Sequence, residues 1–143
     1  MPQYRIGFLI KNISDRMKAS GDNDLREHGL TFSQAHILFV IENAGGTLAQ
    51  KNIERILDVS HPTVTGLIAR LQEKGFVECG TDPNDRRNKI VTMTPKAYSL
   101  ANLLRENRRR GEEELLAGLS EEETETLGQI LIRLYANLEE RKE

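Results

Sequence analysis

The stretch from Thr47 to Pro95, TLAQKNIERILDVSHPTVTGLIARLQEKGFVECGTDPNDRRNKIVTMTP, leaves few folds open to this chain. Thr47-Leu48-Ala49-Gln50 has a capping-box pattern, and Ile53, Ile56, Leu57 and Val59 supply the apolar side of a short helix. Ser60 is the next N-cap, with Pro62 in the first turn, where a missing N–H costs nothing. Val64, Leu67, Ile68 and Leu71 recur at three and four and predict a buried face, so Thr63, Thr65, Gly66 and Ala69 share the open side. Gly75 is the expected C-cap. Phe76–Cys79 and Lys89–Met93 read as short strands joined by the polar turn Asp82-Pro83-Asn84-Asp85-Arg86-Arg87. Two short helices joined at Asp58-Val59 and followed by a hairpin make a helix-turn-helix with a charged hairpin behind it.

The flanking segments are helical. From Tyr4 to about Ala19, Ile6, Leu9, Ile10, Ile13 and Met17 mark one helix face, which Ser20–Asp24 ends or bends. Thr31-Phe32-Ser33-Gln34 is a capping box opening a largely buried helix with Ala35, Ile37, Leu38, Val40 and Ile41, stopped at Asn43-Ala44-Gly45-Gly46. Thr94-Pro95 starts a helix expected to reach about Leu116, with Ala97, Leu100, Ala101 and Leu104 on one side. Ser120–Glu123 is a further capping box, and Leu127, Ile130, Leu131, Leu134 and Leu138 form a stripe towards the end. So small a body cannot cover all the terminal stripes, and they predict an intertwined homodimer. The expected fold is mainly α with a small β-hairpin wing. Residues 1–30 hold an N-terminal helix of the dimerisation region, 31–94 the helix-turn-helix and wing, and 95–143 the C-terminal dimerisation helices.

Composition excludes several classes. The 143 residues are 38% hydrophobic and 29% charged, enough for a core and unlike a disordered chain. No apolar run is long enough to cross a bilayer, so no membrane role is expected. The single cysteine, Cys79, fits a reducing compartment and a cytoplasmic protein. His28, His36 and His61 show no ligand spacing, and no phosphate loop or nucleophile–base set appears. No metal, cofactor or enzymatic activity is therefore expected. Net charge is -2, but its distribution is uneven, with Lys and Arg in excess over 93–110 and Asp and Glu over 111–143.

A helix entering the major groove must approach closely, and small hydroxylated residues allow it. Threonine hydroxyls and N-terminal amides bond phosphates and base edges. Ser60, His61, Thr63, Thr65 and Gly66 are the candidate DNA contacts, with Arg70 either reaching a phosphate or pairing within the protein. An arginine at a hairpin tip suits the minor groove. Arg87 has that position, Asp85 is placed to orient its guanidinium, and Arg86 reaches the flanking phosphates.

SHPTVTGLIARLQEKGFVE followed by DPNDRRNKIVTMTP closely resembles the winged-helix core of MarR-family transcription regulators. Asp85, Arg87 and Thr94 keep that family's wing spacing, and the resemblance runs from Thr31 to Pro95. It implies a sequence-specific, dimeric winged helix-turn-helix repressor that binds palindromic operators in double-stranded DNA. It also implies release by a small aromatic or phenolic ligand in a cleft near the dimerisation helices. Residues around Ile10, Ile13, Met17, His36, Phe39 and Val40 are the candidate lining, with plain core the favoured reading of each. The first helix lacks the cysteine of the family's peroxide-sensing branch, and Cys79 reads as a small packed residue. The other reading of the same fold is a winged-helix protein-interaction module without DNA binding.

Overall fold

A computed structural model describes residues 5–139. The elements run α1 (Ile6–Leu25), a 3₁₀ turn (Arg26–His28), α2 (Phe32–Asn43), β1 (Thr47–Ala49), α3 (Gln50–Leu57), α4 (His61–Glu73), β2 (Val77–Asp82), β3 (Asp85–Met93), α5 (Pro95–Ser99), α6 (Ala101–Leu115) and α7 (Glu121–Glu139). The mainly helical fold with a small sheet is the expected one. The chain forms two compact units, Met1–Asn107 and Arg108–Glu143. The start of the first helix at Tyr4 lies outside the described residues.

The first unit is built around one core. Ile37, Leu38, Ile41, Ile53, Val64, Ile68, Leu71 and Val91 are fully buried, joined by Phe76, Val77 and Met93. Burying each such side chain stabilises the fold by roughly 1.5–3 kcal/mol. The predicted face of α4 is thus the buried one, with Leu67 partly covered at its edge. Thr31 accepts from the Gln34 amide and the Gln34 side chain accepts from the Thr31 amide, completing the capping box on α2. Gln34 is buried, and Lys74 donates to both Gly29 O and Gln34 Oε1, tying the end of α4 to the start of α2.

Four expectations are corrected. The Ser20–Asp24 segment does not end α1, which continues to Leu25. Gly21 lets α2 approach there, because a Cβ on it would lie 2.5 Å from Phe32 Cδ2, and Asp22 Oδ1 accepts from the Phe32 amide at 2.7 Å. Thr47–Gln50 is no capping box. Thr47–Ala49 instead pairs antiparallel with β3, Thr47 opposite Thr92, and α3 starts without a side-chain cap. The two threonine hydroxyls bond across the pair at 2.9 Å, a partnership set by tertiary structure rather than local pattern. The wing strands run further than their apolar cores, because the hairpin ladder pairs polar residues as far as Thr81 with Lys89 and Asp82 with Asp85. The helix expected from Pro95 to about Leu116 is broken at Leu100, whose amide bonds back three residues to Ala97 O. With the turn tightened, Ala97, Ala101 and Leu104 all lie buried.

The second unit carries the Ser120–Glu123 capping box, whose two reciprocal bonds measure 3.0 and 3.1 Å. None of the α7 residues is buried, and Ile130, Leu131, Ile132, Tyr135 and Leu138 are exposed by 44–70%. The α1 stripe of the first unit is likewise open, with Ile6, Ile10 and Ile13 exposed by 43–57%.

Candidate nucleic-acid interface

Helices α3 and α4 meet at a turn where Asp58 takes the left-handed conformation, φ 52°. That single residue reverses the chain, so α4 starts at His61 directly behind α3. Ser60 sits at the N-cap position, but its hydroxyl makes no cap bond. It donates instead to Thr63 Oγ1 at 2.9 Å. The first amides of α4 therefore keep no side-chain cap, as a helix end that receives a phosphate requires. Ser60, His61, Thr63, Gly66 and Arg70 are exposed and Thr65 is half-buried. Among the described residues Arg70 has no ion-pair partner, which leaves its guanidinium open to an external anion.

Two residues of this region make contacts that the sequence does not mark. Gln50, 4% exposed, donates through Nε2 to Thr65 Oγ1 at 2.8 Å. Its Oε1 is buried without a partner among the described residues. Glu54 on α3 reaches His61 on α4, 2.8 Å from carboxylate oxygen to Nδ1. Both contacts cross the turn, and no periodicity within either helix reports them.

The wing is the hairpin of β2 and β3. Its tip closes on Asp82, whose carboxylate accepts from the Asn84 amide at 2.9 Å, with a register irregularity at Thr81/Asp82. Asp85, Arg86 and Arg87 are all exposed. Asp85 does not hold the Arg87 guanidinium as expected. Its Oδ1 accepts from the Arg87 backbone amide at 3.1 Å, because a carboxylate two residues back fits an Asx-type turn. The Arg87 side chain is exposed. Arg86 and Arg87 are neighbours on β3, so their side chains leave opposite faces of the hairpin.

The candidates for a ligand lining lie on α1 and α2. Ile10 and Ile13 are exposed on α1, Met17, His36 and Phe39 are half-buried, and Val40 is a buried residue of the first unit. His36 packs edge-on against Phe32, ring centroids 4.6 Å apart. A recess of another kind lies in the second unit, lined by Leu116, Leu119, Thr124 and four glutamates, among them Glu121 and Glu125. Among the described residues no group of three or more His, Cys, Asp or Glu side chains gathers as for a metal. Cys79 packs half-buried against the core, and burial pushes its thiol pKa up, with Lys89 opposing. No helix among the described residues is long and apolar enough to cross a membrane.

A helix-turn-helix whose second helix runs into the β2–β3 hairpin, with β1 from before the first helix completing an antiparallel sheet of order β1-β3-β2, defines a winged helix-turn-helix. The MarR family model matches residues 28–88. The chain is 34% identical to the uncharacterised helix-turn-helix-type transcriptional regulator YwoH of Bacillus subtilis, over 87% of this chain and 89% of that protein. It superposes on the crystal structure of the transcriptional regulator SlyA with a TM-score of 0.88, 25% identity and 96% of each chain covered. With MepR of S. aureus, in the crystal structure of its DNA complex, the TM-score is 0.87 at 26% identity, covering 95% of this chain and 99% of that one. The chain belongs to the MarR family and is a DNA-binding transcription regulator, not an enzyme.

Proposed function

We propose that the protein acts as a homodimer that binds palindromic operator DNA through α4 and the wing, as a repressor released by a small ligand. The observation that carries the reading is that one compact unit presents both an uncapped, hydroxyl-lined start of α4 and a hairpin with two exposed arginines. MepR, crystallised with DNA, shares the fold. Residues 31–94 form the DNA-binding lobe in this reading, with Ser60, His61, Thr63, Thr65 and Gly66 in the major groove. Arg70 and Arg86 bind phosphates and Arg87 enters the minor groove. Residues 1–30 and 95–143 supply dimerisation, supported by the open apolar stripes of α1 and α7, which a second copy would cover. Two recognition helices about 34 Å apart then meet successive major grooves. A small aromatic ligand near Ile10, Ile13, Met17, His36, Phe39 and Val40 releases the DNA by favouring another lobe spacing. Such a regulator works in the cytoplasm.

The test selects bound duplexes from a randomised pool and then titrates the winners by fluorescence anisotropy at two salt concentrations. Two chains per duplex, a palindromic consensus and loss of affinity with salt are expected. Arg87→Ala should weaken binding on the order of tenfold and reduce the salt slope by about 1. A pool that yields no consensus would leave the fold as a protein-interaction module instead.

A further inference from the structure

The polar network inside the helix-turn-helix dictates more than packing. His61 Nδ1 lies 2.8 and 3.0 Å from the two carboxylate oxygens of Glu54. A carboxylate only accepts, so the ring proton belongs on Nδ1. The other neighbour of Nδ1, Gln50 Nε2, gives one of its two N–H protons to Thr65 and at 3.4 Å is a more distant partner of the ring than the carboxylate at 2.8 Å. It cannot also donate to a protonated Nδ1. The Glu54 side chain is 17% exposed and that of His61 72%, so the carboxylate is the sheltered anchor and the ring the outward element. Nε2, across the ring, has no partner among the described residues.

We propose that Glu54 is a positioning residue for base readout. It holds His61 in the Nδ1–H tautomer, so that Nε2 meets the DNA as an acceptor and selects the exocyclic amino group of cytosine or adenine in the major groove. The proposal rests on the DNA-binding reading above. Cytosine N4 and adenine N6 are the two amino donors that bases offer there, whereas guanine and thymine present O6 and O4 acceptors. A neutral ring with the proton moved to Nε2 would reverse the preference, and without Glu54 nothing in this network opposes that tautomer. Gln50 acts in the same sense on Thr65. By donating to Oγ1 it leaves the threonine hydroxyl proton for an external acceptor.

Two measurements on the full-length chain separate this inference from the reading beneath it. The first needs no DNA. Two-bond ¹H–¹⁵N spectra of the uniformly ¹⁵N-labelled protein near pH ~8.5, where an ordinary imidazole is neutral, report the tautomer of each ring, with His61→Ala assigning the signal. The Nδ1–H pattern is expected in the wild type and its loss in Glu54→Ala. An Nε2–H pattern in the wild type overturns the proposal without reference to any variant's stability. The second repeats the duplex selection at the same pH. The wild type should prefer A or C on one strand at the contacted pair of each half-site by on the order of tenfold. His61→Ala and Glu54→Ala should lose preference at that same pair and keep it elsewhere, the double variant losing no more than either. If the wild type selects a consensus but Glu54→Ala weakens all duplexes uniformly, the positioning role fails and the DNA-binding reading stands. If the wild type selects nothing, the DNA-binding reading fails and the base-reading role with it, whatever the tautomer.

Discussion

Gly21 lies inside α1, where replacing glycine by alanine in an unencumbered helix stabilises by about 0.8–1.0 kcal/mol. Here the sign should reverse. A Cβ at this position would sit 2.5 Å from Phe32 Cδ2 and 3.1 Å from both Phe32 Cβ and Cγ. Phe32 cannot simply withdraw, because its amide is bonded to Asp22 Oδ1 one residue along α1, and its ring packs edge-on against His36. Forcing a methyl into such a contact costs typically about 1–3 kcal/mol, so Gly21→Ala should be destabilising by roughly 1 kcal/mol net of the propensity gain. Phe32→Ala removes the ring and leaves only the approach of the two Cβ atoms, which a shift of a few tenths of an ångström relieves. In that background Gly21→Ala should be neutral or stabilising, by up to about 1 kcal/mol. The coupling energy of the pair is then about 1–2 kcal/mol, above the ~0.5 kcal/mol scatter of independent sites. Urea denaturation followed by circular dichroism measures the four corners of the cycle, at one protein concentration because association shifts the midpoint. Equal destabilisation by Gly21→Ala in both backgrounds would refute the reasoning, since the loss would then not come from the α1–α2 contact.

Two further outcomes depend on titrating groups. Glu123 accepts from the Ser120 amide and donates its own amide to the Ser120 hydroxyl, and the first bond holds its carboxyl below the usual range. A depressed carboxyl contributes stability that is present above the unfolded pKa and lost as pH falls through the folded one. Glu123→Ala should therefore lower the urea midpoint at neutral pH, with the gap to wild type closing in acid. A gap constant with pH would remove the carboxylate from the cap. Burial raises the Cys79 thiol pKa, so its thiolate fraction at neutral pH is below that of a free cysteine. Iodoacetamide should label Cys79 more slowly in the native protein than in urea. Native labelling as fast as that of the unfolded chain would contradict the packed position.

The helix-turn-helix and wing were readable because each of their signals is local. Ser60, Pro62, Gly75 and the Val64–Leu71 face lie within one helix, and the hairpin strands flank one polar turn. Gly75 indeed follows α4 in the left-handed region, φ 81°. β1 was hidden because its three residues, taken with Gln50, satisfy a capping-box pattern as well as a strand. The choice falls to Thr92 and the Met93 amide, more than forty residues away, the latter bonding Gly46 O at 2.9 Å. The break at Leu100 was hidden in a continuous helical pattern. At the interface, residue types marked the exposed positions on α4 and the wing, but not the partners beneath them. Gln50 reads as the last residue of a capping box and Glu54 as an ordinary polar helix residue until the turn at Asp58 folds α3 against α4. The Asp85 assignment erred on a smaller scale. Spacing placed a carboxylate near Arg87 and could not distinguish its amide from its guanidinium.

The wing and α4 form one hydrogen-bonded circuit, which restricts how a ligand would act on the proposed dimer. Behind α4 the Phe76 amide bonds Leu71 O at 2.9 Å, and Phe76 itself is 1% exposed. At the far end of β3 the Thr94 amide bonds Phe76 O at 3.1 Å and its hydroxyl bonds Gly75 O at 2.6 Å. β1 closes the loop, since it pairs with β3 and runs directly into α3. Bending the wing away from α4 breaks several of these bonds together. At about 0.5–1.5 kcal/mol net for each, plus the exposure of Phe76, the cost reaches several kcal/mol. Moving the whole lobe as a body breaks none of them. A ligand that turns a 1:99 population into 99:1 has about 5.5 kcal/mol of differential affinity to spend. Spent on lobe position, all of it goes to displacing the DNA contacts. Spent on the wing, most of it is absorbed within the lobe. The proposed release therefore runs through the spacing of two intact lobes, with the His61 and Arg87 contacts of each lobe lost together.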